Sequence, residues 1–393
     1  MVSIEEAIKV FTNGIRISDI EEVSISECDG RILAKDISAV MNVPSYNRSA
    51  MDGYAVRSID CMGGAPYVMT VVGENLAGES NDYEAKPKTA VRVMTGAYIP
   101  DGYDCVIKQE DTDYGMDKVE IRTDAKPWFN ICRIAEDVSE GRLLFKTGTK
   151  LGPMHIGCIA MQGIDKVSVY KQARIAIIST GSELLEAGSP YEKGKIYNST
   201  SYILESYIKR SGMICEGKYI CSDDEEAFKD IIDKAADSAD LIITTGGMSV
   251  GKRDFIPYVM DDIGAKLLFR GVDVQPGTPT GGYVYKDSHV LCLSGNPYAA
   301  LVHFMIFYYE YLYGMYGVEE MRLARTKARF VGGFSKKVRG RRIVRGIHEN
   351  DTVRVPDEKH ESSVISNMVM CNCLIDMKKV PDDELVDIYI LNL

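Results

Sequence analysis

Residues 174–185 read RIAIISTGSELL, an apolar run that ends in a polar loop containing glycine. The same order recurs in residues 241–251 (LIITTGGMSVG) and in residues 290–297 (VLCLSGNP). Three further stretches have the apolar spacing of helices: Ser199–Arg210, Glu225–Ala236 and Phe255–Ile263. Strands that alternate with helices in this way predict a parallel sheet covered by helices. We therefore predict an α/β domain over residues 171–317.

The rest of the chain predicts further domains, because 393 residues exceed what one hydrophobic core usually serves. Ser3 to Glu6 resembles a capping box that opens a helix over residues 3–12. Short β-rich runs and turn clusters then predict a β domain at 46–140, inserted into an N-terminal mixed domain of residues 1–45 and 141–170. Residues 318–393 predict a C-terminal β domain with strands at Lys327–Phe330, Arg342–Val344, Val364–Ile365 and Leu385–Leu391.

Composition narrows the classes of partner. The formal net charge is -11, and the densest basic run, Lys336–Arg345, is too short to follow a phosphate backbone, which argues against nucleic acid. That run is either a solvated strand edge or part of an anion site. The apolar stretch Tyr298–Tyr309 is too short to span a membrane and predicts a buried helix.

The cysteines indicate the compartment. The ten cysteines include no CxxC pair, so we expect reduced thiols in the cytoplasm rather than a disulfide framework or a zinc clip. The N-terminus also lacks the basic and apolar pattern of a secretion signal.

The loops that follow the three predicted strands are the candidate site. Ligands of parallel sheets bind at the carboxyl ends of the strands, where glycines and helix N-termini present backbone N–H groups to anions. The loops predict an anion or nucleotide site that includes Thr180, Gly181, Ser182, Gly246, Gly247, Ser249, Gly251, Ser294, Gly295, Asn296 and Pro297.

Carboxylates lie in the same part of the chain and would repel a phosphate. Glu183 ends the first loop, Asp223 or Asp224 follows the strand near Tyr219, and Asp254 closes the loop that begins at Gly246. A Mg²⁺ ion between carboxylates and phosphates removes the conflict, so Glu183, Asp223 and Asp254 are candidate ligands. For Asp223, capping of the helix that begins at Glu225 is an equal alternative.

Three other polar stretches have the composition of functional loops: Pro44–Arg57, Met94–Ala97 and Ala135–Asp137. Each of them, taken alone, fits a simple turn better than it fits a functional site. The five histidines lie outside all the loops described above, so a histidine zinc site or a Ser-His-Asp triad has no support.

Together these motifs resemble the molybdopterin molybdenumtransferases, the MoeA and gephyrin E-domain family, over the whole chain. The matching segments occur in the family's order: Ser49–Ala55, Met94–Ala97 through Gln109–Asp111, Ser179–Leu184, Gly246–Gly251 with Asp254, Gln275–Pro279 and Ser294–Pro297. The resemblance implies an α/β multidomain fold, in which a MogA-like three-layer molybdopterin-binding domain joins the N-terminal mixed domain, the inserted β domain and a C-terminal β barrel.

The resemblance also implies an activity and its residues. Mg²⁺-dependent insertion of molybdate into adenylylated molybdopterin would release AMP, with Asp52, Asp137, Glu183, Asp223 and Asp254 as catalytic acids. Thr95, Pro276 and Gly277 would join the substrate-binding set, and Arg345 and Ser366 would bind molybdate. The protein would be a homodimer in which Asp52 acts across the interface, and its partners would include molybdopterin adenylyltransferase and molybdoenzyme acceptors.

Two departures from the family leave alternatives open. Gln275 and Thr278 stand where many relatives have lysines, so the anion affinity is either lower or supplied by Arg270 or Lys252. Ala135 replaces a glycine in the loop that carries Asp137. The competing functions are a non-catalytic molybdopterin carrier or scaffold, and a molybdopterin adenylyltransferase.

Overall fold

The computed structural model describes residues 1–248, 255–336, 338, 340–357, 359–381 and 384–391. Its helices are α1 (Ile4–Thr12), α2 (Pro153–Met161), α3 (Ser199–Arg210), α4 (Glu225–Ala236), α5 (Ile256–Asp262) and α6 (Pro297–Tyr316). Its strands are β1 (Ile20–Ser24), β2 (Ile37–Ser38), β3 (Arg48–Ser49), β4 (Gly53–Val56), β5 (Tyr67–Asn75), β6 (Thr89–Val93), β7 (Cys105–Lys108), β8 (Lys118–Ile121), β9 (Ile131–Cys132), β10 (Leu143–Phe145), β11 (Lys166–Tyr170), β12 (Arg174–Thr180), β13 (Leu184–Leu185), β14 (Ile196–Tyr197), β15 (Ile214–Cys221), β16 (Leu241–Thr245), β17 (Lys266–Arg270), β18 (Gly281–Tyr285), β19 (Ser288–Leu293), β20 (Arg325–Phe330), β21 (Arg342–Glu349), β22 (Thr352–Arg354), β23 (Cys373–Met377) and β24 (Leu385–Ile390).

The central sheet has the order β15-β12-β16-β19-β18-β17. The strands β15, β12, β16 and β19 are parallel, as the alternating pattern predicts, and β18 and β17 continue the sheet antiparallel. Successive residues of β12 point to opposite faces, because the side-chain period of a strand is two. Ile175 and Ile177 join a core with α3 and α6, whereas Ala176 and Ile178 join a core with α4 and α5. The result is the predicted three-layer arrangement.

Helix α6 is the centre of the larger core. Most of its side chains are buried, which matches the prediction of a buried helix for this apolar stretch. Helix α1 packs against it through Phe11, whose ring centroid lies 5.7 Å from that of Phe307. At the start of α1, Ser3 and Glu6 form the expected reciprocal capping box. No helix in the described ranges is long and apolar enough to cross a membrane.

The N-terminal part of the chain is interrupted by a separate β sheet. Strand β1 pairs with β11, and β2 pairs with β10, so the segments before and after the insertion lie side by side. Between them, the five strands β7-β4-β6-β5-β8 form one sheet with its own apolar core. The exact domain boundaries stay a prediction.

The C-terminal strands close into a barrel in the order β20-β22-β21-β23-β24. The α/β multidomain fold predicted from the sequence, including this barrel, is thereby confirmed. One predicted strand is wrong: Val364–Ile365 forms no strand, and it leads into a 3₁₀ helix at Ser366–Met370. The carbonyl of Val364 accepts a hydrogen bond from the Arg345 side chain instead of from a neighbouring strand.

Candidate functional site

A cleft of about 1150 Å³ lies where the carboxyl ends of the parallel strands face the barrel. The segment after each parallel strand contributes to its lining: Gly181 follows β12, Asp223 follows β15, Gly246 follows β16 and Gly295 follows β19. Strand β21 of the barrel forms part of the opposite wall with Arg342–Arg345. The edge of the sheet at which a ligand is expected therefore forms the floor of this cleft.

Glycine is required at position 246 for the strand-end loops to meet. Gly246 has a φ of +91°, and a Cβ atom there would lie 2.4 Å from the carbonyl oxygen of Thr180. Any side chain would therefore strain the backbone and collide with the end of β12. The hydroxyl of Thr180 donates a hydrogen bond to the carbonyl of Thr245 at 3.1 Å, which ties the two loops together.

The loop carrying Glu183 is fixed to the end of the neighbouring strand. The backbone N–H and hydroxyl of Ser182 donate to the carboxylate of Asp223 at 3.3 and 3.0 Å, respectively. On the other side, the Lys195 ammonium donates to the carbonyl of Ser182 at 2.5 Å. Glu183 itself is exposed to the cleft, and Asp223 also lines it. Two carboxylates from different strands thus line the same cleft.

The capping alternative for Asp223 is resolved by its neighbour. Asp224 is the N-cap of α4, and its side chain accepts a hydrogen bond from the backbone N–H of Ala227 at 2.8 Å. Asp223 is turned toward the Ser182 loop instead. The helix is therefore capped without the carboxylate that lines the cleft.

The loop containing Pro276 and Gly277 is held from below by a buried histidine. His303 lies in α6 and its Nε2 hydrogen-bonds the carbonyl of Pro276 at 2.8 Å, so Nε2 must carry the proton. Burial lowers the pKa of His303 to about 4, so the ring is neutral at physiological pH. A Cβ atom on Gly277 would lie 2.5 Å from this ring, which leaves room only for glycine. The side chain of His303 therefore fixes the position of the Pro276–Gly277 loop in the cleft wall.

The barrel wall is basic. Lys336, Arg342 and Arg345 line it, and Lys336 is paired with Glu361 at 3.2 Å. His360 lies beside them with its ring against Phe334, and burial together with the Arg345 charge lowers the pKa of His360. The cleft thus has carboxylates on its α/β wall and cations on its barrel wall.

Arg345 is fully buried beneath that wall. Its guanidinium lies 3.7 Å from the centroid of the Tyr298 ring. It donates to the carbonyls of Val364 at 2.8 Å and Glu361 at 3.1 Å, and also to the side chain of Asn367. Its Nε has no partner among the described residues. Arg345 therefore organises the 361–367 turn as well as lining the cleft.

A second cavity of about 460 Å³ contains Asp52 and Thr95. Its remaining lining residues are Met51, Lys108, Glu110 and Asp111. The backbone N–H and hydroxyl of Thr95 both bind one carboxylate oxygen of Asp52, and these two hydrogen bonds lower the pKa of Asp52. Within one chain, the two cavities share no lining residue.

The structure brings most predicted site residues to one of the two cavities. In the large cleft are Thr180, Gly181, Glu183, Asp223, Gly246, Gly247, Pro276, Gly277, Ser294, Gly295, Asn296, Pro297 and Arg345. Ser182 does not line the cleft but hydrogen-bonds Asp223, which does. Ser366 and Asp137 are exposed and line neither cavity. Ser249, Gly251 and Asp254, as well as Lys252, lie outside the described residues.

Sequence reasoning missed several lining residues. They are Ile196–Thr200, Phe334, His360, Glu361, Ser362 and Ser363. The polar run from Lys359 to Ser363 was a usable signal, because it interrupts an otherwise β-rich region. Its distance in sequence from the strand-end loops hid its relation to them. Among the residues that the structure describes, no group of three or more His, Cys, Asp or Glu side chains is placed to hold a metal ion.

Comparison with family models gives two matches that together cover most of the chain. Residues 2–163 match the "MoeA N-terminal region (domain I and II)" family. Residues 176–313 match the "Probable molybdopterin binding domain" family. The second match contains all four strand-end segments of the cleft floor.

Individual relatives agree with these matches. The chain is 36% identical over 285 residues to a molybdopterin molybdenumtransferase of Haemophilus influenzae, covering 72% of this chain and 70% of the relative. It is 30% identical over 381 residues to one of Staphylococcus epidermidis, covering 95% and 91%. The solved structure of a molybdopterin biosynthesis MoeA protein from Pyrococcus horikoshii superposes with a TM-score of 0.85 at 28% identity, covering 99% of both chains.

Proposed function

This chain belongs to the molybdopterin molybdenumtransferase family, a family of transferases of molybdenum cofactor biosynthesis, and we propose that it inserts molybdate into adenylylated molybdopterin with release of AMP. The observation that carries the proposal is the cleft with two different walls. Glycine-containing loops and carboxylates form one wall, and cations from the barrel form the other. A substrate with a nucleotide phosphate and an oxyanion needs both kinds of surface.

We propose that the α/β wall holds a Mg²⁺ ion when substrate is bound. Glu183 and Asp223 offer hard carboxylate oxygens in the same cleft, and Mg²⁺ is commonly held by one or two carboxylates together with substrate phosphates and water. We propose Glu183, Asp223 and Asp254 as its protein ligands. When bound, the ion would neutralise charge that develops on the phosphoanhydride.

The protein side of the reaction follows from the same residues. Backbone N–H groups around Gly246 and Gly295 would bind the phosphates. Glu183 would orient a water molecule and accept its proton as the water oxygen bonds to phosphorus and AMP leaves. Asp223, fixed by Ser182, would keep the Glu183 loop in register with the end of β15. Arg345 and Ser366 remain our proposed contacts for molybdate.

We propose that the working form is a homodimer. Asp52 and Thr95 lie in a cavity that shares no lining residue with the large cleft of the same chain, and Asp137 is exposed outside both. A second copy that places its Asp52 and Asp137 at the open side of the cleft would complete the set of catalytic acids.

The remaining partners are also proposals. We expect the protein to act in the cytoplasm, to receive its substrate from molybdopterin adenylyltransferase, and to pass the product to molybdoenzyme acceptors. The free dithiolene sulfurs of the substrate are compatible with the reducing compartment that the cysteine pattern predicts.

The experiment is to incubate the protein with adenylylated molybdopterin and to measure AMP while molybdate or Mg²⁺ is omitted in turn. The proposal expects AMP release that requires both. Tight binding of the substrate without AMP release under any condition would instead indicate a carrier or scaffold, and ATP consumption with molybdopterin would indicate an adenylyltransferase.

A further inference from the structure

Among the described residues, three cations line the barrel wall of the cleft, and they differ in their partners. Lys336 is paired with the carboxylate of Glu361. Arg345 directs both of its terminal nitrogens to carbonyl and amide oxygens of the 361–367 turn. Arg342 bonds only the neutral side chain of Gln275, and it forms none of the ion pairs made by the described residues. Its guanidinium therefore has no carboxylate partner, unlike Lys336, and fewer oxygen acceptors than Arg345 among the described residues.

The position of Arg342 is fixed by Gln275 through both backbone and side chain. The backbone N–H of Gln275 donates to the carbonyl of Arg341 at 3.0 Å, and the N–H of Ile343 donates to the carbonyl of Gln275 at 2.8 Å. Nη2 of Arg342 donates to Oε1 of Gln275 at 2.5 Å. The loop and the first residue of β21 thus form a small bridge between the α/β part and the barrel.

One donor of Arg342 is left without an acceptor. Nε of Arg342 is buried and has no hydrogen-bond partner among the described residues. A buried N–H group without an acceptor is unfavourable, and such groups in native proteins call for an explanation such as a bound water, an ion or a functional role. A guanidinium presents Nε and a terminal nitrogen side by side, which matches two oxygens of a tetrahedral anion.

Resting on the function proposed above, we propose that Arg342, oriented by Gln275, binds a tetrahedral oxyanion in the cleft. This chemistry is shared by molybdate and by the phosphate of the nucleotide substrate. The anion would accept hydrogen bonds from the part of the Arg342 guanidinium that lines the cleft. It would be attracted to the barrel wall and repelled by Glu183 and Asp223 on the opposite wall, which would orient the substrate.

This assignment explains the neutral residue at position 275. A lysine at position 275 would place a like charge beside Arg342, whereas Oε1 of Gln275 accepts a hydrogen bond from the Arg342 guanidinium. In this chain the cation at this place is supplied by β21 instead of by the loop. Arg270, one of the alternatives, points elsewhere, because it bonds the hydroxyl of Tyr283 at 2.9 Å and does not line the cleft.

The test is calorimetric binding of molybdate alone and of AMP alone to the full-length wild-type protein and to Arg342→Met. Loss of a charged hydrogen-bonding group should weaken at least one of the two by about tenfold or more. Arg342→Lys should retain part of the affinity, because it keeps the charge but not the planar donor pair. The control is Arg354→Met, which removes an exposed arginine of the same barrel at the end of β22. Unfolding midpoints of all variants are measured in parallel.

The two ligands separate the two sources of the anion. A loss confined to molybdate identifies the metal oxyanion, and a loss confined to AMP identifies the nucleotide phosphate. Equal affinities for both ligands in the wild type and Arg342→Met, or no measurable binding of either ligand to the wild type, would overturn the inference. Neither measurement involves turnover, so failure of AMP release would count against the proposed reaction and not against this site.

Discussion

Thr95 donates two hydrogen bonds to the same carboxylate oxygen of Asp52, from its backbone N–H at 2.7 Å and from its hydroxyl at 2.8 Å. Both bonds favour the ionised carboxylate and hold the pKa of Asp52 below its ordinary value. The same pair of hydrogen bonds occurs away from both cavities, where the backbone N–H and the hydroxyl of Thr147 donate to one carboxylate oxygen of Asp36 at 2.7 and 3.0 Å. One pair is therefore a built-in control for the other.

Thr95→Val removes one donor to Asp52 while keeping the shape of the side chain. We expect AMP release to fall by roughly tenfold to hundredfold, the effect of losing a hydrogen bond to a charged group. The acid limb of the pH profile should also move to higher pH, because the pKa of Asp52 rises. Thr147→Val should raise the pKa of Asp36 and leave AMP release unchanged. Equal rates in the two variants would remove Asp52 from the reaction.

Glu183→Gln replaces a cleft-facing carboxylate by a neutral amide of the same size. Turnover should fall by at least about a hundredfold, since the acid that orients water is lost. Thermal unfolding should change little, because substitutions of exposed side chains usually stay within about 0.5 kcal/mol. Glu192→Gln, an exposed change in the same connection between β12 and α3, is the matched control. Normal AMP release by Glu183→Gln would eliminate its proposed role.

Subunit mixing tests the shared site. Asp52→Ala and Glu183→Ala proteins should each be inactive, and mixing equal amounts with full subunit exchange should restore about a quarter of the wild-type activity, because about half of the dimers are then heterodimers and each heterodimer contains one intact site. The measurement is AMP release before and after exchange, with exchange followed by a mass-tagged subunit. Complete exchange without recovery would argue that each chain works alone.

His303→Gln should change how stability depends on pH. The pKa of His303 is about 4 in the folded protein, lowered by burial, whereas an imidazole in the unfolded chain titrates near 6.5. Below about pH 6.5 the imidazole binds a proton in the unfolded chain but not in the folded protein. The contribution of His303 to the free energy of unfolding is therefore complete above this pH and is lost as the pH falls toward 4.

The size of this effect can be measured in urea. Between pH 7.5 and 4.5 the wild type should lose roughly 2–3 kcal/mol more than His303→Gln, in which an amide keeps the donor to Pro276. The control is His155→Gln, at a partly exposed ring in α2. Parallel pH curves for the wild type and His303→Gln would contradict the neutral, buried state of this histidine.

The strand-end loops could be predicted from sequence because their signal is local. An apolar run, a glycine and a polar residue follow one another at Thr180, Thr245 and Leu293, and parallel strands bring such ends to one edge. The capping box at Ser3 is equally local. The antiparallel strands β17 and β18 were harder, since their place at the edge of the sheet depends on pairing rather than on periodicity.

The barrel wall of the cleft could not be placed in the same way. From sequence alone, the basic run from Lys336 to Arg345 is either a strand edge or an anion site. Arg342 is brought into the cleft by the pairing of β21 with Gln275, which the sequence does not reveal. His360 lies more than a hundred residues after the strand-end loop at Gly246, so its sequence position carries no sign of this proximity. The strand predicted at Val364–Ile365 is wrong, because the carbonyl of Val364 accepts a hydrogen bond from the Arg345 side chain instead of from a neighbouring strand.

The central claim is that hydrolysis of adenylylated molybdopterin is coupled to metal insertion in the large cleft. The most direct measurement is the ratio of AMP released to molybdenum bound in the product, determined in a single turnover with excess protein. The account predicts one molybdenum per AMP in the wild type and neither product in Glu183→Gln. AMP release at full rate with no molybdenum in the product would contradict it.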